Sequence, residues 1–296
     1  MKNGFDTLRI MALALVTWQH AASVFGAYAE TQWRGISLGQ TGVGIFCAIS
    51  GYLAFRNRPD SIPEWLKKRL VRIFPAYWMV TVVAFLLTAL TSAKDFSGWM
   101  FLSQMLGLGY FTHGWQLVNI VSWFISLILL CYIFAAICWQ VRRPDLLLVA
   151  FAVVAMVLCA MRWEGAISRH VIAFCLAGFL AYTKAAILMW MIAVLLMIVG
   201  LVFNSLFFYS GVGLALVLIA SNRTLCTNRM VEVASKYSYE YFLVHGICLV
   251  GVARFVSNKP LALALALAGA AVGAVLVHHF SNVGTRLVHR ALSRAD

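Results

Sequence analysis

Apolar windows of about 20 residues, the length a helix needs to cross a bilayer, recur along this chain. They begin near residues 5, 36, 75, 119, 145, 166, 185, 204, 237 and 260. That pattern predicts an all-α protein, a polytopic bundle of about ten transmembrane helices, with Asn204 marking a tight turn between the seventh and eighth. The longest stretches outside the windows run from Arg56 to Phe74 and from Lys94 to Val118, so residues 1–296 read as one integral-membrane domain with no fused soluble domain. The second stretch carries Trp99, Phe101, Tyr110, Phe111, His113 and Trp115. It is too aromatic for a solvated loop and is predicted to lie at the interface or to fold back into the bundle.

Composition sharpens this picture. With 63% hydrophobic residues, 11% charged residues and a mean hydropathy of +0.89 over 296 residues, the chain has too little polar surface to cover itself in water, which excludes a soluble globule. The 23 Lys and Arg against 10 Asp and Glu mark inner loops and anionic headgroups in such a protein, so membrane lipids are the expected partners and nucleic acid is not. An even number of spans places both termini on one side. Putting them in the cytoplasm, with Lys2, Arg58, Arg142, Arg223, Arg286, Arg290 and Arg294 among the inner cations, assigns seventeen basic residues to the inner face. Six, including Arg34, Lys94 and Arg169, are left outside, as the positive-inside rule requires. The location expected is the bacterial cytoplasmic (inner) membrane. Lys2, the run Ile10 to Val16 and Ala27-Tyr28-Ala29 imitate a cleavable signal peptide, but Asp6, Arg9, Gln19 and His20 interrupt it, and an uncleaved first span is expected. The seven cysteines, Cys226 among them, form no C-x-x-C pair. They read as small hydrophobes, and no metal site is expected.

Chemistry is sought where the membrane makes polarity expensive. Asp6, Arg9, Thr17 and His20 of the first span fall within an arc of about 80° on a helix, a stripe that must face protein or water. His20 lies about 21 Å along the axis from Asp6. An intramembrane imidazole is a functional candidate, against the alternative of a simple interhelical hydrogen bond. Asp6 and Arg9, nearer the interface, either snorkel or pair at i,i+3. Arg69 and Arg72 share a helical face ahead of Pro75; paired guanidiniums so spaced suit a diphosphate, or else anchor the segment to lipid phosphates. Gly39, Gly42, Gly44 and Gly51 imply close helix approach or an unwound backbone near Ser50. His245 and Glu240 share the ninth span but diverge by about 140°, too far to act as one dyad. His278 and His279, without i,i+4 spacing or a carboxylate, read as structural. His113, His170 and His289 sit near predicted span ends, where an interfacial role is expected.

Four signatures together resemble the bacterial acyltransferase-3 family of polytopic membrane acyltransferases: Asp6-x-Leu8-Arg9 followed by His20; Gly42-Val43-x-x-Phe46 with Ser50-Gly51-Tyr52-Leu53; Arg69-x-x-Arg72 with Pro75-x-Tyr77-Trp78; and Ser238-Tyr239-x-x-x-Leu243-x-His245. A fainter fifth is Trp123-Phe124-Ile125-Ser126. The resemblance implies transfer of an acyl group, most often acetyl from acetyl-CoA, to a hydroxyl of a cell-envelope or exported saccharide or lipid-linked glycan. It implies His20 as general base or transient acyl carrier, Asp6 orienting Arg9, and Arg9, Arg69 and Arg72 holding the phosphates of the acyl-CoA, a donor substrate and not a permanently bound cofactor. Ser50, Trp123, Tyr239, Glu240 and His245 are further candidates. Departures from the pattern are Gly44, where many members have Asp, a Trp123 segment without the Glu of longer members, and the charged Glu240. A second class, a transporter or flippase for a lipid-linked glycan, also needs intramembrane ionisable groups, but the chain lacks the internal repeat and paired broken helices of such carriers. A non-catalytic membrane subunit would leave the His20 stripe without a purpose.

Overall fold

The computed structural model describes residues 3–91, 97–163, 165–222 and 228–292, with side chains as far as Val283. Lys2, Lys94, Arg223, Cys226 and Arg294, and the side chains of Arg286, His289 and Arg290, lie outside the described residues. Thirteen α-helices are found among those described: α1 (Asn3–Phe25), α2 (Leu38–Phe55), α3 (Ile62–Thr91), α4 (Gly98–Met105), α5 (Gly109–His113), α6 (Trp123–Cys138), α7 (Pro144–Ala160), α8 (Gly165–Thr183), α9 (Ala186–Val202), α10 (Leu206–Asn222), α11 (Arg229–Lys236), α12 (Ser238–Phe255) and α13 (Lys259–Leu292). Among the described residues, six helical segments are long and apolar enough to cross a membrane: those of α1, α2, α3, α6 with the 3₁₀ turn before it, α8 and α13. Three more apolar helices, α7, α9 and α10, have 17 residues each.

The chain divides into two compact units, one of residues 1–62 and 130–236, the other of residues 63–129 and 237–296. In the first, α2 is the central element, flanked by α1, α8 and α10. Its glycines serve close approach, not unwinding: α2 is unbroken through Ser50. A Cβ on Gly51 would fall 2.0 Å from the Phe174 carbonyl oxygen of α8, one on Gly42 2.5 Å from the Ala12 carbonyl of α1, and one on Gly44 2.6 Å from the Tyr209 carbonyl of α10. At the Gly44 crossing the family's more usual Asp would have no room. The chain passes from α1 to α2 through a short antiparallel hairpin, β1 (Gln32–Trp33) and β2 (Ile36–Ser37), with Gln32 opposite Ser37 and Trp33 opposite Ile36. Its two turn residues, Arg34 (φ 49°) and Gly35 (φ 77°), both have positive φ, the turn geometry that matches strand twist. Asn204 makes the expected tight turn: its Oδ1 accepts from Leu206 N at 3.1 Å.

The basic stretch before Pro75 is helical, as the shared face of Arg69 and Arg72 implied, but it is not separate from the span that follows: from Ile62 it continues through Pro75 as the 30-residue α3. The run Glu64 to Leu70 consists of good helix formers and Trp65, and Pro75 removes only one ladder donor. The aromatic stretch after it folds back as α4 and α5, burying Ser103, Gln104 and Tyr110.

Candidate functional site

The ionisable groups of α1 lie towards the two ends of one helix. At the first, Asp6 Oδ1 accepts hydrogen bonds from Arg9 Nη1 at 2.7 Å and from the Ser235 hydroxyl of α11 at 2.8 Å. Both charged side chains are about one-fifth to one-quarter exposed. The i,i+3 pairing read from the sequence is therefore formed, and a third group 229 residues away tethers it. His20, half-buried, stands 14 residues on. That rise of about 21 Å means Asp6 and His20 do not form a dyad; the carboxylate is paired with Arg9 instead.

What sets His20 is its neighbour. Gln19 is buried, and its Oε1 accepts from the Ser37 hydroxyl and from Gly39 N at 2.5 Å. Ser37 in turn caps α2, accepting from Gln40 N at 3.3 Å. One residue from His20, α1 is thus fastened to the start of α2, which fixes the rotation of the imidazole about the helix axis. Ser50 is half-buried on the regular part of α2. Two residues near the start of α8 differ from expectation. His170 is wholly buried, not interfacial, with Nε2 2.9 Å from Gln40 Oε1. Arg169 is only partly exposed and lies over the Tyr209 ring, 5.6 Å from its centroid.

In the second unit the signature residues separate into scaffold and remainder. Tyr77 donates to the Gln104 carbonyl at 2.5 Å and Trp78 Nε1 to the Met105 carbonyl at 2.8 Å, so the Pro75-x-Tyr77-Trp78 motif satisfies the last carbonyls of α4. Trp123 joins an aromatic cluster with Trp115 (5.6 Å between centroids) and Tyr110 (6.3 Å). Ser126 donates to the Gly107 carbonyl at 2.6 Å and accepts from Tyr110 N at 3.3 Å. Tyr239 donates to the Ile73 carbonyl at 2.9 Å, tying α12 to the turn of α3 that carries Arg72. Arg69 is half-buried, its guanidinium 5.4 Å from the Trp65 ring centroid, and Arg72 is exposed.

His245 and Glu240 go separate ways, as their angular separation requires. His245 is fully buried, with Nδ1 donating to the Phe242 carbonyl of its own helix at 2.7 Å. Glu240 reaches His278 Nδ1 at 2.8 Å, and the Tyr237 ring stands 4.9 Å from the His278 ring. A carboxylate does therefore accompany His278, supplied from α12 and not from its own helix, and the expectation of none is corrected. Among the described residues no three metal-ligating side chains converge. Gln19, Ser235 and the Gln40–His170 and Glu240–His278 pairs were not singled out from the sequence. The available signal was a polar residue inside an apolar window, without an indication of its partner.

These elements define a helical membrane protein in which glycines and aromatic donors hold the helices, and the same signatures also carry an ion pair, an imidazole and two arginines. A family model described as an acyltransferase domain matches residues 2–279, and the chain belongs to this acyltransferase-3 family. A protein named O-acetyl transferase, from Shigella phage Sf6, is 28% identical over 183 residues, covering 57% of this chain and 54% of the relative. The chain thus spans about half the length of that relative. No solved structure matches the chain.

Proposed function

We propose that this protein is a membrane O-acyltransferase that moves an acyl group, acetyl by analogy with the phage relative's name, from cytoplasmic acyl-CoA to a hydroxyl of a cell-envelope or exported saccharide in the bacterial inner membrane. The single observation carrying this reading is the division of labour within the family signatures. Gly42, Gly51, Tyr77 and Tyr239 serve helix contacts that need no ionisable group, whereas the signatures of α1 add Asp6, Arg9 and His20 along one stripe, where a membrane makes ionisable groups costly without a purpose.

In this proposal about ten helices cross the membrane with both termini cytoplasmic. Arg69 and Arg72 in the second unit, and separately Arg9 in the first, aimed by Asp6, then lie on the side where acyl-CoA is made, and each is a candidate to bind its phosphates through charge-assisted hydrogen bonds. His20 acts at the acceptor. As the acceptor oxygen attacks the thioester carbonyl, its proton passes to the neutral imidazole; the tetrahedral intermediate collapses by breaking the C–S bond, and the thiolate recovers that proton from the imidazolium. The products are the ester and free coenzyme A, with His20 regenerated. If His20 instead carries the acyl group, coenzyme A leaves before any acceptor arrives.

The test gives purified protein radiolabelled acetyl-CoA and candidate glycans, with His20→Ala measured beside wild type for turnover and melting temperature in the same detergent. General-base help contributes about 100- to 10,000-fold, so turnover should fall by at least the lower figure while the protein stays folded. Near-wild-type acylation by the variant would defeat the mechanism.

A further inference from the structure

The last helix of the first unit, α11 (Arg229–Lys236), has no part in the transfer chemistry above, and its sequence divides it into three faces. Asn228 starts it: its Oδ1 accepts from Val231 N at 2.9 Å, which satisfies one of the free donors of the first turn. At about 100° per residue, Val231 and Ser235 fall together on one side, Val233, Met230 and Ala234 on a second, and Glu232, Lys236 and Arg229 on a third. Arg229 and Lys236 border the apolar face, and Glu232 lies beyond them.

The first face is fastened. α11 packs on α1, Val231 is half-buried, and the buried Ser235 donates its hydroxyl hydrogen to Asp6 Oδ1 at 2.8 Å. The second face is bare, with Met230 79% and Val233 52% exposed. Two large apolar side chains side by side on so short a helix need a cover that water does not provide.

Depth decides what that cover is. Asp6 is the third residue of the apolar segment Gly4–Phe25, which is long enough to cross a membrane. Ser235, bonded to Asp6, therefore holds α11 at the level where that segment meets the headgroups. A helix at this height with one face against α1 and its charged face in water turns its remaining, apolar face to the acyl chains, the arrangement of an interfacial amphipathic helix. The cations along the border of that face, Arg229 and Lys236, match the phosphates of anionic lipids.

We propose that α11 lies in the headgroup boundary of an anionic phospholipid monolayer, with Met230 and Val233 among the upper acyl carbons and Arg229 and Lys236 at the lipid phosphates. This seat is independent of the acyl-transfer reading. Its test places a spin label singly at Met230→Cys, Val233→Cys or Glu232→Cys in the full chain carrying Cys226→Ala and Cys248→Ala, the other five cysteines being buried. The protein is reconstituted in vesicles of phosphatidylcholine with or without phosphatidylglycerol. Power-saturation electron paramagnetic resonance then compares collisions with oxygen, which concentrates among acyl chains, and with a water-soluble nickel chelate present on both sides. In the anionic vesicles the labels at Met230 and Val233 should favour oxygen by about threefold or more, and the label at Glu232 should favour nickel. Melting temperatures should match that of the unlabelled protein, because the replaced side chains are exposed. Omitting phosphatidylglycerol should shift the two apolar-face labels toward water, and Arg229→Gln should reproduce part of that shift in the anionic vesicles. Nickel-favoured collisions at both Met230 and Val233 would place the face in water, and exclusion of both reagents would place it against protein, a second copy of the chain included; either result overturns the proposal. Equal depth in the two kinds of vesicle would overturn the assignment of an anionic surface.

Discussion

Gly51→Ala isolates the contact on which the first unit depends most sharply. The added methyl would stand 2.0 Å from the Phe174 carbonyl oxygen, whereas ordinary contact begins at 3.4 Å, so α2 and α8 must part locally by about 1.4 Å. The clashing atom is backbone inside a helix and cannot swing away, which places the substitution at the upper end of the overpacking range, about 3 kcal/mol. Alanine returns about 1 kcal/mol through helix propensity, leaving a net loss of about 2 kcal/mol. At about 2–4 °C per kcal/mol, the melting temperature should fall by about 4–8 °C. Gly251→Ala in α12 is the control: nothing lies within 4 Å of its added methyl, so only the propensity gain remains and the melt should hold or rise. Gly42→Ala, with its methyl 2.5 Å from the Ala12 carbonyl, should fall between the two. Intrinsic-fluorescence melts of the three variants in one detergent decide the matter. A Gly51→Ala melt indistinguishable from that of Gly251→Ala would refute the close-crossing argument. Because Gly51 has no side chain to lend to chemistry, acylation by its variant should decline only with the folded fraction.

Three further outcomes are expected. Replacing Arg69 or Arg72 by Ala should weaken acyl-CoA binding by about 1.5 to 3 kcal/mol, the worth of a charged hydrogen bond, with Lys restoring only part of it; unchanged coenzyme affinity in the double variant would return both residues to an anchoring role. Tyr77→Phe should destabilise the second unit by about 1–3 kcal/mol, because Tyr77 is fully buried and its loss strands the Gln104 carbonyl, and a denaturation midpoint matching wild type would contradict that. A cysteine at Arg58 should react with an impermeant thiol probe only from the cytoplasmic side; labelling solely from outside would reverse the proposed orientation and remove the donor-side assignment of the arginines with it.

Local features of the sequence determined the helices. Apolar windows of spanning length became helices at each position where one was read, and the Asn204 turn fell where expected, because each element satisfies its own backbone and needs only continuous apolarity to persist in lipid. The Asp6–Arg9 pair was legible for the same reason: its partners sit on one helical turn. The helix of the basic run before Pro75 was legible in the shared face of Arg69 and Arg72, but its unbroken continuation through Pro75 was not. Only the tertiary structure decided where polar groups inside the bundle find partners. Asp6 meets Ser235, Gln40 meets His170, and Glu240 meets His278, pairs separated by 38 to 229 residues, and periodicity along one helix carries no information about which face of a distant helix it will touch. The same distinction separates the glycines from the histidines. A glycine in an apolar window already implies close approach, whereas a buried imidazole needs a specific acceptor, and in an environment without water that acceptor is chosen by whichever helix the fold brings alongside.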